Sequence, residues 1–193
     1  MNHFYQNIPG YFTWPSFYSR LPSKIDPKPG TMAVGVEIGT ANGQSLAYLG
    51  VEFENRRLAG GPEYMLIGVD PDNANGNAKR NLEPLKGRVE LLGEKSVDAA
   101  RHFADGSLDF VFIDGDHSYE SVRDDIAAWF PKLVPGGLIA GHDFSPDFPG
   151  VVWAVIEAFG KFFVDRGEKY GPVEGTLTPS SREYFPVWWA YKD

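Results

Sequence analysis

A short apolar run that stops at Gly or Asp and gives way to a segment of helical spacing recurs along this chain, and no other feature restricts its fold as strongly. The runs cover residues 33–38, 64–69, 89–92, 108–113 and 137–140. Between and after them the spacing predicts helices over 44–57, 73–85, 96–103, 119–133 and 150–164. Strand and helix in alternation is the pattern of βαβ units, whose crossovers place helices on both faces of a parallel sheet. The expected fold class is α/β, a doubly wound, mostly parallel sheet of about seven strands, with residues 184–191 returning as a late antiparallel strand.

Ahead of this pattern, residues 1–30 are rich in aromatics and Pro and end in the breaker run Asp26-Pro-Lys-Pro-Gly30, with a short helix expected over 15–20. They read as a cap leaning on a core of residues 31–165, which 166–193 complete with late strands. With 193 residues the chain suits one domain, 1–193, better than two. Its formal net charge of −8, with basic residues only in scattered pairs, argues against nucleic acid, whose phosphates call for a basic face. Cys is absent, so thiolate metal sites and thiol nucleophiles are excluded. The start lacks the basic-then-apolar order of a secretory signal. The longest apolar stretch, 151–164, is broken by Glu157 and Lys161 and is too short to span a bilayer. A cytoplasmic protein with no membrane partner is expected; a homo-oligomer remains open.

Ligands of open α/β sheets bind beyond the carboxyl ends of the strands, so the residues just past each run carry the functional information. Past the first comes Glu37-Ile-Gly39-Thr40-Ala-Asn42-Gly43-Gln-Ser45. Gly39 and Gly43 permit a tight turn and close approach of a ligand to the backbone, and Ser45 is placed to cap the next helix. Past the second comes Asp70, where an acid can take both hydroxyls of a ribose. Alone, a Gly-rich turn is often only a turn. An acid about thirty residues on, at the next strand end, shifts the reading to an adenosine-type ligand. Ala41 stands where a nicotinamide-binding loop has its second glycine, which disfavours a pyrophosphate.

The densest polar stretch is Asp114-Gly-Asp116-His117-Ser-Tyr119, directly after an apolar run, and the next run ends in Gly141-His142-Asp143. Each loop by itself fits a turn or a helix start equally well. Adjacent parallel strands bring their ends together, however, so Asp114, His142 and Asp143 can converge on one ion. Carboxylates suit Mg²⁺, and the imidazole admits Mn²⁺. His117 titrates near neutrality and is placed to take a proton from a hydroxyl acidified by that metal.

The segment E-x-G-x-x-x-G-x-S resembles motif I of the small-molecule O-methyltransferases, including the catechol type. The stretch IDGDHSYE, a helix, then PGG and HD is similar to the macrocin and mycinamicin O-methyltransferases, over roughly residues 31–165. The resemblance implies a Rossmann-like methyltransferase fold and S-adenosylmethionine as cofactor. It assigns Glu37, Gly39, Thr40, Asn42, Gly43 and Ser45 to the loop around the methionine portion, Asp70 to the ribose, and Ser96, with Val97, to the adenine edge. Asp114 would face both cofactor and metal, Asp143 the metal, and His117 would be the base. His142 stands where that family has the first acid of a pair, and catechol-type enzymes have Lys at the His117 position. The implied function is metal-assisted O-methylation of a hydroxyl on a small molecule or sugar. A metal-independent methyltransferase, a non-catalytic binding module and a nicotinamide-dependent oxidoreductase are the alternatives.

Overall fold

A computed structural model describes residues 1–25, 27–28, 30–165, 172–174 and 186–193. Strands β1 (Ala33–Ile38), β2 (Tyr64–Val69), β3 (Val89–Leu92) and β4 (Leu108–Ile113) have the expected bounds. The others are β5 (Leu133–Gly141), β6 (Phe163–Asp165), β7 (Pro172–Glu174) and β8 (Val187–Tyr191). They form one sheet in the order β3-β2-β1-β4-β5-β8-β6-β7. The pairs from β3 to β5 are parallel, and β8 and β6 pair antiparallel. The fold class is as the sequence implied. The expected late strand starts at Val187; Tyr184 and Phe185, also assigned to it, lie outside the described residues.

Both faces of the sheet are covered, which is why its strands read as unbroken apolar runs. On β4 the side chains alternate. Phe110 and Phe112 enter one core with Phe17, Tyr18 and Leu46, whereas Val111 and Ile113 enter the other with Val122, Ile126 and Trp129. The first core is roofed by α1 (Pro15–Lys24) and α2 (Gln44–Leu58), the second by α4 (Ser96–Ala99), α5 (Tyr119–Trp129) and α6 (Pro149–Ala158). The aromatics of the first 30 residues mostly pack on the core as a cap: Trp14, Phe17 and Tyr18 are buried, while Tyr11 is exposed.

Several helices are shorter than their spacing predicted. Over 73–85 only α3 (Asn77–Asn81) is α-helical, flanked by 3-10 turns, because Gly76 adopts a left-handed φ of 76° and Pro84 interrupts the ladder. The 96–103 helix tightens into a 3-10 turn after Ala99, and α5 does so after Trp129, where Pro131 follows. The helix expected over 150–164 stops at Ala158, and Phe163–Asp165 forms β6 instead, supplying a strand the sequence reading did not include. β5 begins four residues earlier than expected: Leu108 faces Leu133 and Phe110 faces Leu138, so the Pro135-Gly136-Gly137 segment bulges out of register.

Candidate active site

Four chain turns meet at the carboxyl ends of β1, β2, β4 and β5. The ladder fixes them: Gly39 N–H donates to Val69 O (2.9 Å), Asp114 N–H to Ile38 O (2.9 Å), and His142 N–H to Ile113 O (3.1 Å). Beside the first three of them opens a cavity of about 650 Å³, lined by Gly39, Asp70, Ser96, Val97, Asp114, Gly115 and Asp125, among others. It lies where chain order reverses between β1 and β4, the switch point at which such sheets bind ligands.

Of the residues assigned to a cofactor, Gly39, Asp70, Ser96 and Asp114 line this cavity. Asp70 accepts Ala41 N–H on Oδ2 and Asp72 N–H on Oδ1, both at 2.8 Å, so it braces the β1 loop while facing the opening. Glu37, Thr40, Asn42, Gly43 and Ser45 are not among the lining residues. Glu37 is buried beneath the cap, its Oε2 accepting the Tyr18 hydroxyl (2.6 Å) and its Oε1 the Ser45 hydroxyl (2.9 Å). Burial pushes its carboxyl up to about 8, against the pull of these two donors. Ser45 therefore does not cap α2; Gly43, at φ 84°, occupies the cap position. Thr40 is buried, its hydroxyl donating to Glu37 O (3.3 Å), and Asn42 Nδ2 donates to Pro9 O (3.1 Å), tying down the cap. The protein itself also demands both loop glycines: a Cβ on Gly39 would stand 1.9 Å from Asp114 O, and one on Gly43 2.9 Å from Leu82.

Asp116 does start a helix, its Oδ1 accepting Ser118 N–H (2.8 Å) beside the Ser118 cap of α5. Asp114 does not. With Asp143 and His117 it forms a group whose ligand-type atoms all lie within 4.8 Å of one another. His117 Nε2 is 2.8 Å from Asp143 Oδ2 and 3.9 Å from Asp114 Oδ1, and its ring lies 4.6 Å from that of Phe148. The Asp114 and Asp143 carboxylates hold His117 up to about 10. Burial alone would raise Asp143, but His117 and His142 outweigh it and hold that carboxyl at about 2. Asp143 takes a left-handed φ of 60°, a conformation Asp tolerates better than most side chains.

His142, assigned to the ion from its sequence position, lies outside the Asp114–His117–Asp143 group, although it approaches both carboxylates. Its Nδ1 lies 3.2 Å from Asp143 Oδ1 and 3.5 Å from Asp114 Oδ1, while Nε2 meets the Thr13 hydroxyl at 3.3 Å and its ring packs 4.0 Å from that of Trp14. It is a buried brace between the carboxylates and the cap. The two carboxylates raise its pKa against the opposing effect of burial. His102, read as structural, pairs with Glu94 on the surface (3.0 Å).

The residue that sequence reasoning missed is Asp125, a buried acid in the cavity wall. A signal was present. Val122, Asp125, Ile126 and Trp129 share one helical stripe, so an acid occupies an inward position of α5.

A parallel sheet crossed at β1/β4 and reversed late strands make this the Rossmann-like methyltransferase fold. The chain belongs to the methyltransferase-domain family, whose model matches residues 36–144. An uncharacterised protein of Acanthamoeba polyphaga mimivirus is 28% identical over 151 residues, 71% of this chain and 62% of that protein, so the chain spans about three fifths of that relative's length. Among solved structures, an O-methyltransferase from Bacillus cereus in complex with S-adenosylhomocysteine is similar over 97% of this chain and 86% of its own (TM-score 0.66, 19% identity). CalS11, a TDP-rhamnose 3'-O-methyltransferase of calicheamicin biosynthesis, is similar over 90% and 77% (TM-score 0.61, 17% identity). At these identities the likeness is one of fold. Among the described residues, no helix is long and apolar enough to cross a membrane.

Proposed function

We propose that this chain is an S-adenosylmethionine-dependent methyltransferase, acting in the cytoplasm as a single capped domain, that transfers a methyl group to a hydroxyl of a small molecule or sugar. One observation carries the reading. Asp114 belongs both to the cavity and to the Asp114–His117–Asp143 group, so a cofactor site and a polar reaction site share a wall. The cavity suits the cofactor in size and sign: its wall carries Asp70, Asp98, Asp116, Asp124 and Asp125 against Lys95, which favours a ligand bearing a cationic sulfonium. The cofactor supplies an activated methyl group, so the protein's task is alignment and management of one proton.

The two carboxylates fit a divalent cation such as Mg²⁺ or Mn²⁺, which Asp114 and Asp143 would hold while His117, within reach of both, stays off the ion. Such an ion supplies charge that satisfies both carboxylates and acidifies a hydroxyl. Without it His117 is an imidazolium at neutral pH and cannot accept a proton. Once the carboxylates are otherwise neutralised, its Nε2 is available to the hydroxyl as a base. Asp143 and Asp114 orient the ring, and Phe148 packs against it. Thr13 and Trp14 of the cap, in contact with His142, close the acceptor side.

A metal-independent methyltransferase is the second reading, since Asp143 lies 2.8 Å from His117 and can balance its charge without an ion. Isothermal titration with S-adenosylhomocysteine, with Mg²⁺ or Mn²⁺ and after EDTA, tests both readings. Saturable binding is expected; none under any condition overturns the methyltransferase reading. Methyl transfer that survives EDTA selects the metal-independent form.

A further inference from the structure

Part of the N-terminal cap is a strap across the open end of the sheet. At the β1 turn, Asn42 Nδ2 donates to Pro9 O (3.1 Å) and Gln44 Nε2 to Ile8 O (2.9 Å); at the β5 turn, the Thr13 hydroxyl meets His142 Nε2 (3.3 Å). In the sheet, β4 lies between those two strands. Strands are spaced about 4.8 Å apart and an extended chain advances about 3.3 Å per residue, so residues 9–13 are just long enough to pass over the end of β4. Asp114 stands at that end. It continues the alternation of Phe110 and Phe112 on the face that the cap covers, and its Oδ1 lies 3.5 Å from His142 Nδ1.

The side chains of the strap alternate as well. Phe12 is set among the rings of Tyr5, Trp14, Tyr18 and Tyr48, with centroids no farther than 5.7 Å, and Trp14 is buried against Phe112. Tyr11 and Thr13 take the opposite side. Thr13 reaches His142, and Tyr11 is 70% exposed, more than any other large apolar side chain among the described residues. The backbone beside it is held close to α2, since a Cβ on Gly10 would stand 2.7 Å from Gln44 Oε1. A tyrosine kept out of the core, on a strap pinned at both ends, offers its ring to whatever occupies the space over Asp114. The strap falls outside residues 36–144, so this ring is no part of the segment shared with the methyltransferase-domain family.

We propose that Tyr11 selects the acceptor, stacking on the apolar face of an uncharged ring whose hydroxyl is presented to Asp114 and His117. The proposal rests on the methyl-transfer reading above. The acceptor is not an anion, because Asp114 and Asp143 place negative charge where it binds and would repel a carboxylate or phosphate. A phenolic ring and the apolar face of a sugar share the chemistry that Tyr11 would grip, and separate probes tell them apart. Tyr11 meets the acceptor away from the reacting oxygen. Its contribution is therefore to binding, made equally before and during methyl transfer, and shows in KM rather than in kcat.

The test is methyl transfer from S-adenosylmethionine, with Mg²⁺ present, to three uncharged diols: catechol, methyl rhamnoside and the ring-free ethylene glycol. The readout is the ratio of kcat/KM for a ring acceptor to that for ethylene glycol. Tyr11→Ala is expected to lower this ratio by about tenfold through KM, the worth of a good aromatic contact, and Tyr11→Phe, which keeps the ring, to restore it. Because the side chain is exposed, neither variant removes core packing. Whichever of catechol and methyl rhamnoside carries the effect identifies the ring as phenol or sugar. An unchanged ratio in Tyr11→Ala, or a loss confined to kcat, overturns the proposal. So does a wild type that binds S-adenosylhomocysteine and methylates neither ring. If S-adenosylhomocysteine itself does not bind, it is the cofactor reading that has failed.

Discussion

Glu37 offers a prediction that can be worked through from its surroundings. Its carboxyl titrates at about 8 in the fold against an ordinary value of 4.5, because burial outweighs the two hydroxyls that bond it. At 1.36 kcal/mol per pH unit, ionised Glu37 is on the order of 5 kcal/mol less favourable in the fold than in the unfolded chain. The sign follows from proton counts. Between pH 4.5 and about 8 the unfolded chain has released this proton while the folded chain retains it, so stability falls as pH rises through that window and levels off above it. Glu37→Gln removes the titration while keeping an oxygen and a nitrogen for Tyr18 and Ser45. Urea unfolding followed by Trp fluorescence from pH 4.5 to 9 should show wild-type stability declining relative to the variant by several kcal/mol. Asp125, raised to about 6, contributes a slope of the same sign to both proteins and cancels in the difference. Wild-type and variant curves that stay parallel across the window would refute a neutral, buried Glu37.

Two further outcomes follow from the site. His117→Ala should lower turnover by about 10²- to 10⁴-fold, the usual worth of a positioned acid or base. Its affinity for S-adenosylhomocysteine should stay unchanged, because His117 is not among the residues lining the cavity; unchanged turnover in a methyl-transfer assay would remove His117 from the reaction. Gly39→Ala should cost upwards of about 3 kcal/mol and lower Tm by roughly 10 °C, since its Cβ meets Asp114 O at a positive φ. A calorimetric Tm within about 2 °C of wild type would show that the turn opens without strain.

Strands β1 to β4 were legible to the residue because each is an apolar run that stops at the Gly or Asp opening the next turn, whereas the start of β5 was not. Helix ends were less legible. Phe159, Phe162 and Val164 are apolar whether the chain continues as a helix or turns into an edge strand, and only packing against Trp188 and Trp189 decides. The polar loops were found, but not their internal division of labour. That Glu37 serves Tyr18, and that His142 serves Thr13 across 129 residues, depends on where the cap lands, which no local spacing encodes. Gly39 was picked out as a glycine that permits a tight turn. The reason lay in the neighbouring strand's carbonyl, and that neighbour is known only once β1 and β4 are paired. The site itself was half visible: the acids and histidines at two strand ends could be listed, but which imidazole enters the cluster is set by the left-handed turn at Asp143 and the cap beside it.

The bond between Tyr18 and Glu37 makes the cap and the sheet a single inheritance. A homologous core grafted beneath a foreign N-terminal segment would receive, near the end of its first strand, an acid whose hydroxyl partner had been left behind. Recombination that exchanges N-terminal caps between such chains must therefore carry the pair together, or replace Glu37 as well.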